Sequence, residues 1–158
     1  AEFSIDLMTH LTFKTAYKYY DVQTQFTTGQ LQRALQAKHR VFGNIAYETH
    51  IQDKGQQWKF DVTYNWLGKQ RLPFTQSNPA EFRLDEYAPA FGVLNAQVTK
   101  TFSSTFEVYI GGENISNYKQ MNGIVQNENP FGTYFDSSMI YGPTFGAMYY
   151  AGLRFKIN

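Results

Sequence analysis

Three histidines are the side chains of this chain best suited to metal or proton chemistry. His10 and His50 fall in short segments between apolar stretches, and His39 stands at the start of another such stretch. Neither helical nor hairpin spacing brings two of them together as ligands, and the sequence has no cysteine to supply a thiolate. The spacing therefore predicts solvated or interfacial histidines, with no metal site and no cofactor.

Catalytic motifs are equally sparse. Serines and aspartates are plentiful, but no G-x-S-x-G nucleophile motif occurs. Residues 111–113, Gly-Gly-Glu, have the glycine pair of a phosphate-binding loop, yet no helical pattern follows them. A glycine pair in an extended segment is typical of a bulge or of close approach by another element. The sequence does not predict an enzyme.

Ligand contact is the chemistry that suits one long segment best. Residues 116–147 are rich in Asn, Gly, Pro and aromatic side chains, a composition that favours an ordered surface loop. Amide groups and aromatic faces in this loop are predicted to contact a ligand. The candidates are Asn127, Asn129, Phe131, Tyr134, Phe135 and Tyr141. The alternative is that the aromatic rings pack the loop onto its neighbours.

The sequence predicts that β-strands position this loop. Apolar residues recur with a period of two in seven segments, which is the pattern of a strand with one apolar face. In the last segment, 148–158, one face is wholly apolar and the other carries Arg154 and Lys156. Its length suits a tilted strand across a hydrocarbon core, which needs about 9 to 11 residues. The apolar registers of the six preceding strands span residues 3–7, 11–19, 41–47, 58–66, 94–102 and 106–112.

Two short connections predict tight hairpins that keep the apolar face continuous. Residues 8–10 as a three-residue loop place Leu7 opposite Leu11, and residues 103–105 place the two flanking phenylalanines opposite each other. Helical periodicity is weak everywhere. Residues 29–38 are the best helical segment, because their two leucines are four positions apart, and we predict a helical turn within a loop.

Charge separates the two faces of the predicted strands. Lys100 is the only charged residue in the apolar register, and it lies close to a predicted turn, where its side chain can reach a polar interface. A cation at the middle of a bilayer would cost about 2 to 4 kcal/mol. The opposite register is predicted to face a wet lumen and includes Lys14, Lys18, Asn44, Lys59, Asp61, Asn65, Asn95, Gln97, Tyr109, Glu113 and Arg154.

Alternation alone does not decide whether the apolar face meets lipid or a soluble core. A lipocalin-like barrel or a β-sandwich has the same period. The connections are unequal, however: the longest at one end is 48–57, whereas those at the other end span 21–38, 67–93 and 116–147. Short turns at one end, long loops at the other and aromatic residues near strand ends favour a transmembrane β-barrel.

Composition excludes other classes. The net charge of +1, with lysines and arginines scattered singly, predicts no nucleic-acid partner. Charged residues make up 17% of the 158 and aromatic residues 18%, which argues against disorder. No run approaches 18 apolar residues, so the sequence predicts no transmembrane helix.

Four segments resemble the C-terminal end of TonB-dependent outer-membrane receptors, particularly the Bacteroidota type. They are G-G-E-N-I-S-N at 111–117, N-P-F-G-T-Y-F-D at 129–136, Y-G-P at 141–143 and Y-A-G-L-R-F at 150–155. The resemblance implies a barrel of about 22 strands in the bacterial outer membrane, filled by a plug domain. It also implies active import, powered through TonB, of a scarce bulky nutrient such as a metal chelate, cobalamin or a glycan.

Seven strands are an odd number, whereas bacterial single-chain outer-membrane barrels have an even number. We therefore expect residues 1–158 to form the C-terminal part of a larger all-β, antiparallel transmembrane barrel, without its plug domain and earlier strands. The expected partners are outer-membrane lipid, the plug domain, the remaining strands and TonB, and the Bacteroidota type adds a surface lipoprotein. One alternative is a complete eight-stranded barrel with a structural or adhesive role, its eighth strand between residues 81 and 92. The other is a soluble ligand-binding β-barrel.

Overall fold

Antiparallel strands dominate the computed structural model, which describes residues 1–27 and 29–157. The predicted end of the last strand, Asn158, lies outside the described residues. The strands are β1 (Glu2–Met8), β2 (Leu11–Tyr19), β3 (Gln23–Phe26), β4 (Gly29–Gln32), β5 (His39–Glu48), β6 (Gln57–Leu67), β7 (Gln70–Arg71), β8 (Tyr87–Ala88), β9 (Phe91–Thr101), β10 (Phe106–Glu113) and β11 (Met148–Phe155).

Seven strands form one sheet in the order β1-β2-β5-β6-β9-β10-β11, every pair antiparallel. The seven strands predicted from the period of two are therefore confirmed, but the last is shorter than predicted, because β11 has 8 residues and ends at Phe155. The remaining strands form two small pairs, β3 with β4 and β7 with β8. Among the described residues the large sheet is open, because β1 and β11 each have a neighbour on one side only.

The register keeps apolar side chains opposite each other across the whole sheet. Ile45 on β5 lies opposite Phe13 on β2 and Val62 on β6. The same holds at the far edge, where Val108 on β10 lies opposite Leu153 on β11. Branched and aromatic side chains favour such pleated pairs because they fill the space between opposed positions. One face of the sheet is therefore mainly apolar, as the sequence predicts, with Lys100 as its charged residue among those described.

One of the two predicted tight hairpins is confirmed. The Phe102 N–H donates to the Phe106 carbonyl at 2.9 Å, and the two ring centres are 5.7 Å apart. The other is wrong by one residue, because Met8 rather than Leu7 lies opposite Leu11. The loop there has two residues, with His10 in the left-handed region at φ +72°, and an irregularity between residues 6 and 8 absorbs the extra position.

Residues 29–38 do not begin as a helical turn. Gly29–Gln32 is β4, paired with β3 so that Leu31 lies opposite Thr24, and the chain turns later at Leu35, with φ +58°. Hairpin pairing overrides the weak helical spacing of the leucines. Short 3₁₀ turns occur at Asp53–Gly55 and Ala80–Phe82. In the part of the chain that the structure describes, no helix has the length and apolar character needed to cross a membrane.

The expected eighth strand between residues 81 and 92 is absent from the large sheet as described. The segment contains a 3₁₀ turn and β8, whose two residues pair with β7. Pro79 and Pro89 flank it, and proline does not donate to a strand ladder. The alternative of a complete eight-stranded barrel loses the strand on which it depended.

Buried apolar side chains collect at one end of the sheet instead of on its faces. The connections at that end, 20–38, 68–90 and 114–147, are long, whereas those at the other end, 9–10, 49–56 and 102–105, are short. This confirms the predicted asymmetry of the connections. We call the three long connections the loop layer. The most buried apolar residues among those described are Ala37, Leu72, Ala88, Phe91, Val125 and Met139.

Candidate ligand-binding surface

Hydrogen bonds join the first two connections of the loop layer. The Arg71 guanidinium Nε donates to the Gln32 carbonyl at 2.6 Å, and the Leu35 N–H donates to the Arg71 carbonyl at 2.8 Å. Ala37 forms a backbone bridge with Gln70 next to these contacts. Arg71 is buried, and its guanidinium donates to the backbone carbonyls of Gln32 and Leu72. These carbonyl dipoles stabilise a positive charge that would be costly to bury without partners. These two loops hold each other in place.

The third connection is attached to the second by side chains. The Gln70 amide donates to the Tyr141 carbonyl at 3.0 Å. The rings of Phe91 and Tyr118 stack with centres 4.7 Å apart and planes only 4° from parallel. Partial burial, reinforced by the neighbouring Tyr141 phenol, raises the pKa of Tyr118 above its ordinary value of 10.0. Tyr118 is therefore neutral throughout the physiological range.

Buried amides fold the third connection internally. Asn114, at φ +50°, follows the end of β10, and its backbone N–H donates to Asn95 Oδ1 at 2.9 Å. Its side-chain amide donates to the carbonyls of Tyr118 at 2.7 Å and Phe145 at 3.1 Å, while its Oδ1 accepts from the Tyr118 N–H. One asparagine thus connects both ends of a connection of more than thirty residues, because an amide both donates and accepts.

Gln120 repeats this arrangement farther along the loop. Its Oε1 accepts from the backbone N–H groups of Tyr141 and Gly142, both at 2.8 Å, and its own N–H donates to the Pro143 carbonyl at 2.9 Å. Unpaired backbone groups in a part-buried loop would be costly, and the glutamine side chain satisfies two of them at once. The loop is ordered by its own hydrogen bonds, as its composition predicts.

A cleft of about 430 Å³ opens between two parts of the loop layer. Its walls are residues 81–84 and 122–129, and Asn127 and Asn129 of the predicted ligand contacts line it. Phe82 lines it too and stacks on Tyr134 outside, with ring centres 5.4 Å apart. Carboxylates, amides, an arginine and a ring lie together here, a set that binds polar solutes by hydrogen bonds and stacking.

The other predicted contacts have different surroundings. Phe131 is 100% exposed, and Phe135 is partly exposed. Tyr141 lies beside Phe91, with ring centres 6.5 Å apart, and its hydroxyl donates to the Met121 carbonyl. Packing onto neighbours thus accounts for Tyr141, and for Tyr134 through its stack on a phenylalanine ring. Their role as ligand contacts remains a prediction.

Several residues that line the cleft were not predicted from the sequence. They are Glu81, Phe82, Arg83, Leu84, Asn122, Ile124, Val125, Gln126 and Glu128. The wall at 81–84 comes from a different connection from the wall at 122–129, and no periodic pattern relates two irregular segments that far apart. The abundance of asparagine at 122–129 was the one available signal.

The sheet's polar face carries the eleven residues predicted to face a lumen, and the register places all of them on one side. The Asn44 amide donates to Asp61 and to the Thr63 hydroxyl, both at 2.9 Å. Farther along the sheet, the Tyr150 hydroxyl on β11 reaches across β10 and donates to Gln97 Oε1 on β9 at 3.0 Å. Lys18 lies directly opposite Arg40, two cations at the loop-layer end of this face. That the face lines a lumen remains a prediction.

Glycines on β10 and β11 make room for tyrosine rings on the polar face. Tyr109 lies over Gly152, and Tyr150 lies over Gly111, so that a methyl group on either glycine would overlap the tyrosine hydroxyl. β10 pairs through Gly111 and Gly112 without a register shift. The bulge, one of the two alternatives, is therefore absent. Aromatic rings of β11 approach both glycines closely, and approach by a plug domain, the element expected from the resemblance, stays a prediction. A glycine covered by a cross-strand ring is a recognised way to stabilise a strand.

The histidine prediction is wrong in one respect. His10 Nε2 and His50 Nδ1 lie 3.1 Å apart, because β2 pairs with β5, so that the turn before β2 and the connection after β5 are neighbours. His39 is separate, with its Nδ1 2.7 Å from the Tyr17 hydroxyl. Across residues 1–27 and 29–157 no group of three or more His, Cys, Asp and Glu side chains is arranged to hold a metal ion.

Comparisons with models of known protein families, with curated proteins and with solved structures find no match for this chain. Fold and surface together define an antiparallel all-β protein with one apolar face, one polar face and a packed loop layer.

Proposed function

We propose that this chain forms the C-terminal strands of a TonB-dependent importer in the bacterial outer membrane. The observation that carries the proposal is the exposed apolar face of the seven-stranded sheet. Leu153 and Tyr149 on this face are 71% and 74% exposed, and exposed apolar residues continue across the sheet to Phe3 on β1. A continuous apolar surface of this kind is rare on a protein surrounded by water and is expected where lipid is the solvent.

Exposure on the two faces supports lipid on the apolar side. On neighbouring strands, Thr99 of the polar face is 7% exposed, whereas Ile110 of the apolar face is 62% exposed. A soluble ligand-binding β-barrel would have the opposite arrangement, with apolar residues packed inside. β6 and β9 each have 11 residues, which suits a tilted strand across a bilayer, about 9 to 11 residues.

The open edges support a larger barrel. β1 and β11 each leave one row of backbone N–H and C=O groups without a strand partner among the described residues. In hydrocarbon each unsatisfied group costs several kcal/mol, so a membrane sheet must close on itself. Further strands of the same protein would complete the ladder on both sides. The plug domain, TonB and a surface lipoprotein belong to the same proposal, through the resemblance.

The loop layer is then the external surface, and the cleft between 81–84 and 122–129 is the place where an incoming nutrient makes contact. A metal chelate, cobalamin or a glycan each presents polar groups that the amides and carboxylates of the cleft would bind. Loops that are packed onto each other hold such contacts in fixed positions, which lowers the entropic cost of binding.

Fractionation and growth test the proposal together. The natural protein should sediment with the outer membrane of the cell that makes it. A strain without the gene should grow poorly on one limiting nutrient from a panel of ferric chelates, cobalamin and glycans. A strain without TonB should show the same defect, and removing both should add nothing further. Recovery of the protein in the soluble fraction, or additive defects, would contradict the proposal.

A further inference from the structure

Two histidines from different turns meet at the short-turn end of the sheet. The Glu48 N–H donates to the His10 carbonyl at 2.9 Å, which extends the β2–β5 ladder beyond the last strand residues. His10 therefore lies opposite Glu48, and His50 follows two residues later. Their ring centres are 4.2 Å apart, with planes at 74°. The ladder rather than a chance contact brings the two rings together.

The distance between the ring nitrogens suits a shared metal ion. Histidine nitrogens bind Zn²⁺ at about 2.0 to 2.1 Å, so two of them on one ion are separated by roughly 2.8 to 3.4 Å for right-angled to tetrahedral geometry. His10 Nε2 and His50 Nδ1 are 3.1 Å apart. The two nitrogens are within hydrogen-bonding distance, and a metal ion bound by both would displace the proton that they share.

The neighbouring carboxylate is directed elsewhere. Glu48 accepts from the Gln57 amide at 3.1 Å and lies 3.9 Å from the Lys59 ammonium. The protein therefore offers two nitrogen ligands at this point, and water would occupy the other coordination positions. Imidazole pairs of this kind select borderline transition metals over Mg²⁺ or Ca²⁺, which prefer oxygen ligands.

We propose that His10 and His50 form a bidentate chelating site for a divalent transition-metal ion such as Cu²⁺, Ni²⁺ or Zn²⁺. The bound ion links the β1–β2 turn to the β5–β6 connection. The site is independent of the loop-layer cleft, at the opposite end of the sheet, and does not depend on the proposed transport function. Affinity follows the usual order for nitrogen ligands, with Cu²⁺ bound more tightly than Ni²⁺ or Zn²⁺.

The test is titration calorimetry of the natural full-length protein, purified without a histidine tag, with Cu²⁺ or Zn²⁺ as the probe. His10→Asn keeps a residue that tolerates the left-handed turn, and His50→Gln changes an exposed position. Each substitution should weaken the site about 100-fold, because losing one ligand removes the chelate advantage. His39→Gln is the matched control, since His39 pairs with Tyr17, and it should leave the site unchanged.

Electron paramagnetic resonance of the Cu²⁺ form identifies the ligands. The wild-type spectrum should contain two nitrogen couplings, and each variant at position 10 or 50 should contain one at most. Identical isotherms for the wild type and both variants would overturn the proposal, as would loss of binding in His39→Gln. Weakening by one of the two substitutions alone would overturn the shared site as well, because a chelate needs both nitrogens.

Discussion

The ammonium group of Lys100 lies 4.8 Å from the centre of the Trp58 ring, directly across the β6–β9 pair. Lys100 was the one charged residue in the predicted apolar register, where its length was expected to carry the charge to an interface. The Trp58 ring provides a second reason why the apolar face tolerates this charge, because the electron-rich face of an indole attracts a cation. The charge is thus accommodated on an apolar face by an aromatic partner.

We expect the two side chains to be energetically coupled. In a double-mutant cycle with Trp58→Leu and Lys100→Met, the coupling in the free energy of unfolding should be about 0.5 to 2 kcal/mol. Denaturant unfolding of the full-length protein in detergent measures it. Trp66→Leu combined with Lys100→Met is the control, since Trp66 lies near the other end of β6 and should give additive effects. Additivity of the Trp58 pair would remove the stabilising role of the ring.

Two adjacent substitutions on β5 test whether each face of the sheet contacts lipid or water. Ile45→Arg puts a cation in the middle of the apolar face, between Phe13 and Val62, and should impair folding into bilayers by about 2 to 4 kcal/mol. Ala46→Arg puts the same cation on the polar face, opposite Asp61, and should be tolerated. Folding into lipid vesicles, followed by protease protection, measures both. Equal tolerance would show that the apolar face does not meet lipid.

Gln120 allows a test of loop order. Gln120→Ala leaves the N–H groups of Tyr141 and Gly142 without their acceptor. Each lost hydrogen bond contributes about 1 kcal/mol, so amide exchange at these two positions should accelerate roughly fivefold. Lys119→Ala, at an exposed neighbouring position, should leave both rates unchanged. Unchanged exchange in Gln120→Ala would mean that other contacts order this part of the loop.

The open sheet edges predict how residues 1–158 behave alone. Without partners for β1 and β11, the isolated segment should fail to give the heat-modifiable gel shift of a closed barrel and should aggregate through its edges. The natural full-length protein should show the shift. A monomeric, heat-modifiable species from residues 1–158 alone would show that this segment closes by itself, in favour of the small-barrel alternative.

The sheet could be predicted from the sequence because alternation is a local signal. Phe13, Ile45 and Val62 each belong to a period of two that identifies their face before any pairing is known. The histidine pair could not be predicted in this way. His10 and His50 meet only because two separate turns lie side by side in the folded sheet, and spacing along the chain does not reveal the order of neighbours.

Only part of the candidate site could be predicted, because only one of its two walls has a local signal in the sequence. Asn127 and Asn129 belong to a loop whose composition marks it as a surface, but Arg83 of the facing wall has no sequence pattern that relates it to them.

The error at residues 29–38 has another cause. Two leucines four apart are a weak helical signal, and pairing of β4 with β3 supplies backbone hydrogen bonds that outweigh it.

The contacts of Arg71, Gln70 and Tyr118 make the three long connections a single structural unit. Loop exchange between proteins usually treats each loop as a separate module. Here a transplanted 114–147 segment would leave behind the Gln70 amide that donates to its Tyr141 carbonyl and the Phe91 ring that stacks on its Tyr118. Engineering of this surface therefore requires transfer of all three connections as one set, and variation in one loop restricts the changes acceptable in the other two.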